Sequence, residues 1–338
     1  METSMRAWSF DRTAPAQERR LALTSRPVPT PRPDEVLVRV MTCGLCRTDL
    51  HLVEGDLTPR RPGVIPGHQV VGEVVGAGSA ATRFSVGDRV GIAWLRRTCG
   101  HCHWCRQGRE NLCARSEYTG WDADGGLAEM ATVPEAYAYR LPDGFDDVAA
   151  APLLCAGIIG YRALGRASLP PGGRLGIYGF GSSAHLTAQI ALAQGAEVFV
   201  MTRGEANRDL ARRLGAHFVG AAAEVPPAPL DAAILFAPAG ELVAAALEAL
   251  DSGGRLAVAG IHLSDVPELN YQRHLFRERE LCSVTSNTRR DGEELLRLAG
   301  RLGLHVHATE VMFDRAAEAL ADLAAGAVAG SAVVRVST

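Results

Sequence analysis

Apolar positions along this chain fall into short runs, and the residues between those runs change character near position 150. Before it, Val36-Leu37-Val38-Arg39-Val40 follows a proline-rich entry at 27–33. Residues 69–75 form a second run, closed by Gly76-Ala77-Gly78, and Val86-Gly87-Asp88 turns into a third. Short runs rich in β-branched residues and bounded by Gly, Pro and Asp predict strands. Beyond position 150, runs alternate with helical periods. Arg174-Leu175-Gly176-Ile177-Tyr178 predicts a strand ending at Gly179. A helix follows at 183–194, closed by Gly195, then a strand at 197–201 and a helix at 207–214, closed by Gly215. Strands at 232–236 and 255–259 flank an alanine-rich helix at 241–250. That alternation implies parallel βαβ units in a doubly wound sheet, hence an α/β fold. The tail predicts helices at 293–302 and 315–324 and a last strand at 331–336.

Composition narrows the class. A chain of 338 residues is long for one core and suggests two domains. Hydrophobic residues at 47% and charged residues at 22% exclude a disordered chain. A net charge of −3 gives no reason to expect nucleic acid or an anionic membrane as partner. Every basic residue is arginine, so no lysine can serve as a base or Schiff-base partner. The first ten residues lack the apolar centre of a signal peptide, Asp11 and Arg12 follow at once, and no run reaches the ~20 apolar residues of a membrane span. The expectation is a cytoplasmic protein, in which eight cysteines serve as thiols or metal ligands rather than disulfides.

Four of the cysteines, Cys99, Cys102, Cys105 and Cys113, lie close together. Two-residue gaps let successive thiolates converge on one ion from a tight loop. Four thiolates make a closed tetrahedral zinc site with no open position, which is structural rather than catalytic. Disulfides are disfavoured by compartment, and the spacing is not that of ferredoxin cysteines. His101 and His103 are surplus to a filled shell and are read as facing solvent. A second set is dispersed: Cys46, His68 in Pro66-Gly67-His68-Gln69, and Cys155 in Leu153-Leu154-Cys155-Ala156-Gly157. Two thiolates and one imidazole match the ligand set that leaves a fourth position for water or substrate. Each of the three alone is equally well read as a buried core residue.

Gly179-Phe180-Gly181-Ser182-Ser183-Ala184 follows a predicted strand and opens a predicted helix. Gly179 permits the turn, Gly181 the approach of a pyrophosphate, and Ala184 close helix–strand packing, with the helix N-terminus facing the phosphates. The next strand ends in Thr202-Arg203, where an NAD enzyme usually carries an acid for the ribose hydroxyls. An arginine fork there suits a 2′-phosphate. The alternative is a solvated Arg203, with Glu205 taking the ribose and NAD preferred.

Taken in order, Cys43–His51, Gly67-His68 with its Val-Gly-Glu-Val-Val run, the four-cysteine loop and Leu-Leu-Cys-Ala-Gly resemble the zinc-containing medium-chain alcohol dehydrogenases, in particular their bacterial propanol-preferring branch. The resemblance covers nearly the whole chain. It implies a GroES-like, β-rich catalytic domain at 1–155 and 287–338, a Rossmann domain at 156–286, and a cleft for cofactor and zinc. It implies that Cys46, His68 and Cys155 hold a catalytic zinc, that Thr48 stands beside the reacting oxygen, that His51 relays the proton, and that Asp49 orients the histidine ligand. It also implies contact of Arg47, and of Arg289 or Arg290, with the pyrophosphate, and a pocket lined by Trp94 and Trp121. Thr202-Arg203 is similar to the Ser-Arg pair of NADP-dependent members, which favours NADP(H) over NAD(H). Two features depart from the family: Gln69 stands where a glutamate is usual, and Leu57 where small-alcohol enzymes often carry tryptophan, which suggests a roomier pocket. Cys43 and Cys282 are read as structural.

The implied function is reversible hydride transfer between primary or secondary alcohols, or their aldehydes and ketones, and NAD(P), with two zinc ions per chain. The expected partner is the small-molecule substrate, with no nucleic acid or membrane and with assembly into a homo-oligomer, tetramer or dimer. Alternatives are an NADPH-dependent aldehyde reductase of the same scaffold, a zinc-free quinone reductase, and a catalytically silent zinc scaffold.

Overall fold

The computed structural model describes residues 3–10, 13, 18 and 21–337. The reading of the N-terminus rests partly on Met1, Glu2, Asp11 and Arg12, which lie outside the described residues. In chain order the elements are β1 (Ser4–Ser9), β2 (Ala22–Pro27), β3 (Glu35–Leu45), α1 (Arg47–Glu54), β4 (Gln69–Ala77), β5 (Arg89–Ile92), β6 (Leu95–Arg97), α2 (His103–Arg106), β7 (Glu117–Tyr118), β8 (Met130–Pro134), β9 (Ala138–Arg140) and α3 (Asp147–Pro152). There follow α4 (Ile158–Ala167), β10 (Arg174–Tyr178), α5 (Ser182–Ala193), β11 (Glu197–Met201), α6 (Glu205–Arg213), β12 (Phe218–Gly220), β13 (Leu230–Leu235), α7 (Leu242–Ala249), β14 (Leu250–Val258), α8 (Tyr271–His274) and β15 (Glu280–Ser283). The tail holds α9 (Arg289–Leu302), β16 (Ala308–Met312), α10 (Ala316–Ala324) and β17 (Ser331–Arg335). The chain divides into two compact units: Met1–Cys155, Ser286–Arg301 and Ala308–Thr338 in one, Ala156–Thr285 and Leu302–His307 in the other.

In the first unit a sheet runs β16-β17-β3-β4-β5-β9, with β8 also paired to β3. β3 is its spine. Val36, Val38 and Val40 are wholly buried at a period of two while Arg39 is exposed, the pattern of a strand with one face on a core. The β3–β4 register matters for the site. Gly44 pairs with Gln69 and Cys43 with Val70, so the residue just after β3, Cys46, comes out beside the residue just before β4, His68.

The second unit is a parallel sheet in the order β12-β11-β10-β13-β14-β15. This is the doubly wound order, which reverses between β10 and β13 and opens a ligand crevice at the carboxyl ends of those strands. Gly179 ends β10 there with φ +88°. A Cβ on it would lie 2.8 Å from the Ala237 amide nitrogen at the end of β13. The position therefore excludes any side chain for two reasons, backbone conformation and space.

The elements the sequence predicts are found, with ends shifted by up to about five residues; among those it did not anticipate is a helical stretch from Asp147 to Ala167. Pro152 and the glycines around it read as breakers. The helix absorbs them through a π turn, Leu153–Gly157, between α3 and α4. Proline has no amide to give to the α ladder, and here a single π turn follows it before the α pattern resumes. At 21 residues and a mean hydropathy of 1.5 this helix is long and apolar enough to cross a bilayer, contrary to the expectation that no stretch is. Its most apolar window is 61% buried inside the protein. α3 packs on β3 and β4, and α4 on β14 and α5, as a core helix does.

Candidate active site and metal centres

The cysteine loop between β6 and β7 brings the sulfurs of Cys99, Cys102, Cys105 and Cys113 within 4.8 Å of one another. The nearest pairs are Cys102–Cys105 at 3.5 Å and Cys99–Cys105 at 3.9 Å. Backbone amides are aimed at sulfur: Cys102 N donates to Cys99 Sγ (3.3 Å), Cys99 N to Cys113 Sγ (3.5 Å) and Arg115 N to Cys113 Sγ (3.4 Å). The amides of His101 and Cys102 draw the Cys99 thiol down to about 5, the thiolate form that binds a soft metal, while burial pushes Cys105 up to about 11. His101 is turned to the Cys99 carbonyl and to Arg115, and the His103 ring lies tilted against Trp104 at 4.2 Å; neither belongs to the sulfur set. Glu110, inside the loop and buried, accepts from the guanidinium of Arg289 at the start of α9 with both oxygens, Nε to Oε1 at 3.0 Å and Nη2 to Oε2 at 2.8 Å. Arg289 is thereby tied to the loop, while Arg290 lies exposed beside Glu294 at 2.6 Å.

The second set forms from three elements. Cys46 caps α1, His68 precedes β4, and Cys155 lies in the π turn; their ligand atoms also fall within 4.8 Å of one another. Cys46 Sγ and His68 Nε2 are 3.3 Å apart. The hydrogen bond from Cys155, with the nearby His68 charge, holds the Cys46 thiol well below the ordinary range, while that same bond and burial push Cys155 up. Behind His68, Nδ1 faces Asp49 Oδ1 at 3.3 Å with both side chains buried. Asp49 is itself fixed by two amides, Gly67 N (2.9 Å) and Cys46 N (3.0 Å). A carboxylate behind the imidazole sets which ring nitrogen is free as a ligand and strengthens its donor power. Gly67, at φ +95°, leaves no room for a side chain: a Cβ would lie 2.6 Å from Cys43 Sγ. Cys43 is buried and Cys282 bonds weakly to the Arg166 carbonyl; neither joins a metal set among the described residues.

Thr48 and His51 lie on the buried face of α1. The Thr48 amide donates to Cys46 Sγ (3.3 Å), and its hydroxyl has no partner among the described residues. His51 Nδ1 meets Asp56 Oδ2 at 2.8 Å, and Asp56 is 43% exposed. Gly55, left-handed at φ 97°, ends α1 and turns the chain so that Asp56 folds back on the helix. Nothing in the order of residues singled out Asp56; a glycine helix stop followed by an acid was the available signal. Arg47, the first residue of α1, is exposed. Against His68 stands the edge of Trp94 (5.0 Å, 71°), which stacks on Tyr118 (4.9 Å) and on Trp121 (5.9 Å). Arg60 lies over the outer ring, Trp121, at 3.8 Å. Gln69 is buried, and its amide nitrogen has no hydrogen-bond partner among the described residues.

In the second unit Gly181 caps α5, and Ala184 is wholly buried in its first turn. Thr202 is buried, and its hydroxyl accepts the Phe180 amide (3.2 Å), so it braces the loop from behind. Arg203 is exposed and makes no ion pair among the described residues. Glu205, the alternative ribose partner, is taken by Arg212 (2.7 Å) and Arg208 (3.3 Å).

Residues 32–143 match the alcohol dehydrogenase GroES-like domain and residues 183–301 the zinc-binding dehydrogenase domain. The chain is 59% identical to the "Probable alcohol dehydrogenase AdhA" of Mycobacterium tuberculosis over 336 residues, 98% of this chain and 97% of that one. It belongs to the zinc-dependent medium-chain alcohol dehydrogenases. An alcohol dehydrogenase of Geobacillus stearothermophilus is 35% identical over 86% of this chain and 88% of its own length. Among solved structures, a cinnamyl alcohol dehydrogenase of Sorghum bicolor superposes with a TM-score of 0.89 at 28% identity, covering 98% of this chain and 97% of that chain. The protein is thus an NAD(P)-dependent alcohol dehydrogenase that uses zinc and interconverts alcohols with aldehydes or ketones.

Proposed function

We propose that this alcohol dehydrogenase carries two zinc ions per chain and prefers NADP(H). In this reading Cys99, Cys102, Cys105 and Cys113 hold the structural ion, and Cys46, His68 and Cys155 the catalytic one. The observation that carries it is the convergence of two sulfurs and one imidazole backed by a locked carboxylate, a donor set that suits zinc and leaves one position open. When bound, zinc supplies Lewis acidity that lowers the pKa of an alcohol hydroxyl, and the nicotinamide takes or gives the hydride.

The chain's own residues do the rest. The Thr48 hydroxyl, with no partner among the described residues, takes the alcohol proton and passes its own on toward His51. His51 passes it outward, its Nδ1 held by Asp56, whose carboxylate reaches water. The Trp94–Tyr118–Trp121 wall excludes water on one side of His68. Gly179, Gly181 and Ala184 receive the pyrophosphate at the start of α5. Arg203, just past the end of β11 and with no acid paired to it among the described residues, takes the 2′-phosphate; Glu205 is already neutralised by two arginines. Arg203 also favours the reading in which the working direction is NADPH-dependent aldehyde reduction.

Residues 1–155 with the tail from 287 form the catalytic domain in this proposal, and 156–286 the nucleotide domain. The protein works as a homo-oligomer, dimer or tetramer: β15 is an open sheet edge bearing exposed Leu281, preceded by exposed Tyr271 and Phe276. Eight free cysteines suit a cytoplasmic enzyme. The test is zinc content by mass spectrometry, together with NADPH and NADH oxidation against a panel of aldehydes. About two zincs per chain and faster NADPH turnover are expected. NADH-only turnover overturns the cofactor assignment, and one zinc with no turnover overturns the catalytic site.

A further inference from the structure

His185 follows directly on the dinucleotide loop and is wholly buried, yet neither the chemistry above nor the metal centres use it. Both of its ring nitrogens are committed. Nδ1 lies 3.3 Å from the Gly181 carbonyl, and Nε2 lies 3.2 Å from the backbone nitrogen of His307. A carbonyl can only accept and an amide can only donate, so the two partners define the ring: Nδ1 carries the proton and Nε2 is bare. Burial, with His305 and His307 nearby, pushes the imidazole down to about 4, which keeps that form at neutral pH.

The same pattern repeats along the helix. The Gly181 carbonyl accepts its ordinary helical bond from His185 N (3.1 Å) as well as the imidazole. Thr187 Oγ1 donates to the Ser183 carbonyl (2.8 Å), and Gln189 Nε2 to the His185 carbonyl (3.0 Å). Gln189 also reads the tail in both senses, accepting from His305 N (2.8 Å) and donating to His305 O (2.9 Å). Residues 302–307 are the one stretch of the tail that belongs to the second unit, and these bonds tie it there.

We propose that His185 is a positioning residue for the dinucleotide loop, clamping the Gly181 carbonyl along the α5 axis and anchoring that clamp to the 302–307 strap through the His307 amide. The physical reason is charge. The helical bond from His185 N holds this carbonyl once, and the imidazole adds a second bond; the carbonyl's negative end is thereby kept turned into the helix, away from where the loop must present amides to a phosphate. This rests on the reading of 179–184 as the cofactor loop.

The test is fluorescence titration of NADPH and NADH with the full-length zinc-loaded enzyme and its His185→Leu and His185→Gln variants, together with cofactor KM and kcat. Leucine removes both bonds, and the Kd of both dinucleotides should rise by about 10-fold, a change of ~1.4 kcal/mol. That loss should appear in cofactor KM more than in kcat. Glutamine can donate and accept, and should restore the Kd to within about threefold. A leucine variant that melts cooperatively and binds both dinucleotides as the wild type does overturns the proposal. Should the leucine variant fail to fold, His185→Asn, whose shorter amide cannot span both partners, decides on the same criterion. A wild type that binds neither dinucleotide would instead overturn the loop assignment itself, a distinguishable result.

Discussion

The two cysteine-rich sites use nearly the same donors and are built on opposite principles. The loop at 99–113 draws all its sulfurs from one short stretch, and backbone amides of that same stretch aim at them. The set of Cys46, His68 and Cys155 spans more than a hundred positions of sequence, and its geometry depends on a strand register, a helix cap and a π turn. A local site fills its shell with its own residues and stabilises a loop that has little apolar core beneath it. A dispersed site is already held by buried structure, so an ion there is free to be used for chemistry and one position can stay open. Closure and openness follow from where the ligands come from.

That contrast sets the size of the expected effects. The largest should come from Cys102→Ser: loss of one zinc with a fall of ~10 °C or more in melting temperature, or loss of a cooperative melt, by calorimetry, because a structural ion contributes folding energy. A variant that melts as the wild type does would mean the loop needs no ion. Cys46→Ser comes next and fails differently. Turnover should drop by about 10³-fold or more while the loop zinc stays and melting moves by only ~3 °C; a melting shift as large as that of Cys102→Ser would erase the distinction. Asp49→Asn should be the mildest, weakening zinc at the dispersed site by about 10- to 100-fold in competition with a chromogenic chelator and leaving the loop ion untouched. Equal weakening at both sites would mean that Asp49 serves only to cap α1.

Much of the fold is written locally. Strands at 174–178 and 197–201 fall where the apolar runs do, since a parallel strand buried on both faces has little choice of residue. The Asp147–Ala167 helix was hidden because Pro152 and Gly157 are breakers in isolation and are tolerated only within a packed π turn. The assignment of 302–307 was hidden too, since it depends on Gln189 and His185 recognising backbone, which leaves no mark on the side chains of the strap.

The order of residues alone carried the closed donor set of the cysteine loop, the glycine pattern of the dinucleotide turn and the alternation that builds a parallel sheet, because each is a matter of spacing within a few turns of chain. Folding in three dimensions settled what spacing cannot. It placed Asp56 on His51, locked Asp49 behind His68, tied Arg289 to Glu110, turned the Thr202 hydroxyl to the loop and enclosed His185 between Gly181 and His307. Each of those is a polar contact inside or at the edge of a core, where leaving a donor or acceptor unmet is costly, and the partner that meets it is chosen by packing rather than by proximity along the chain.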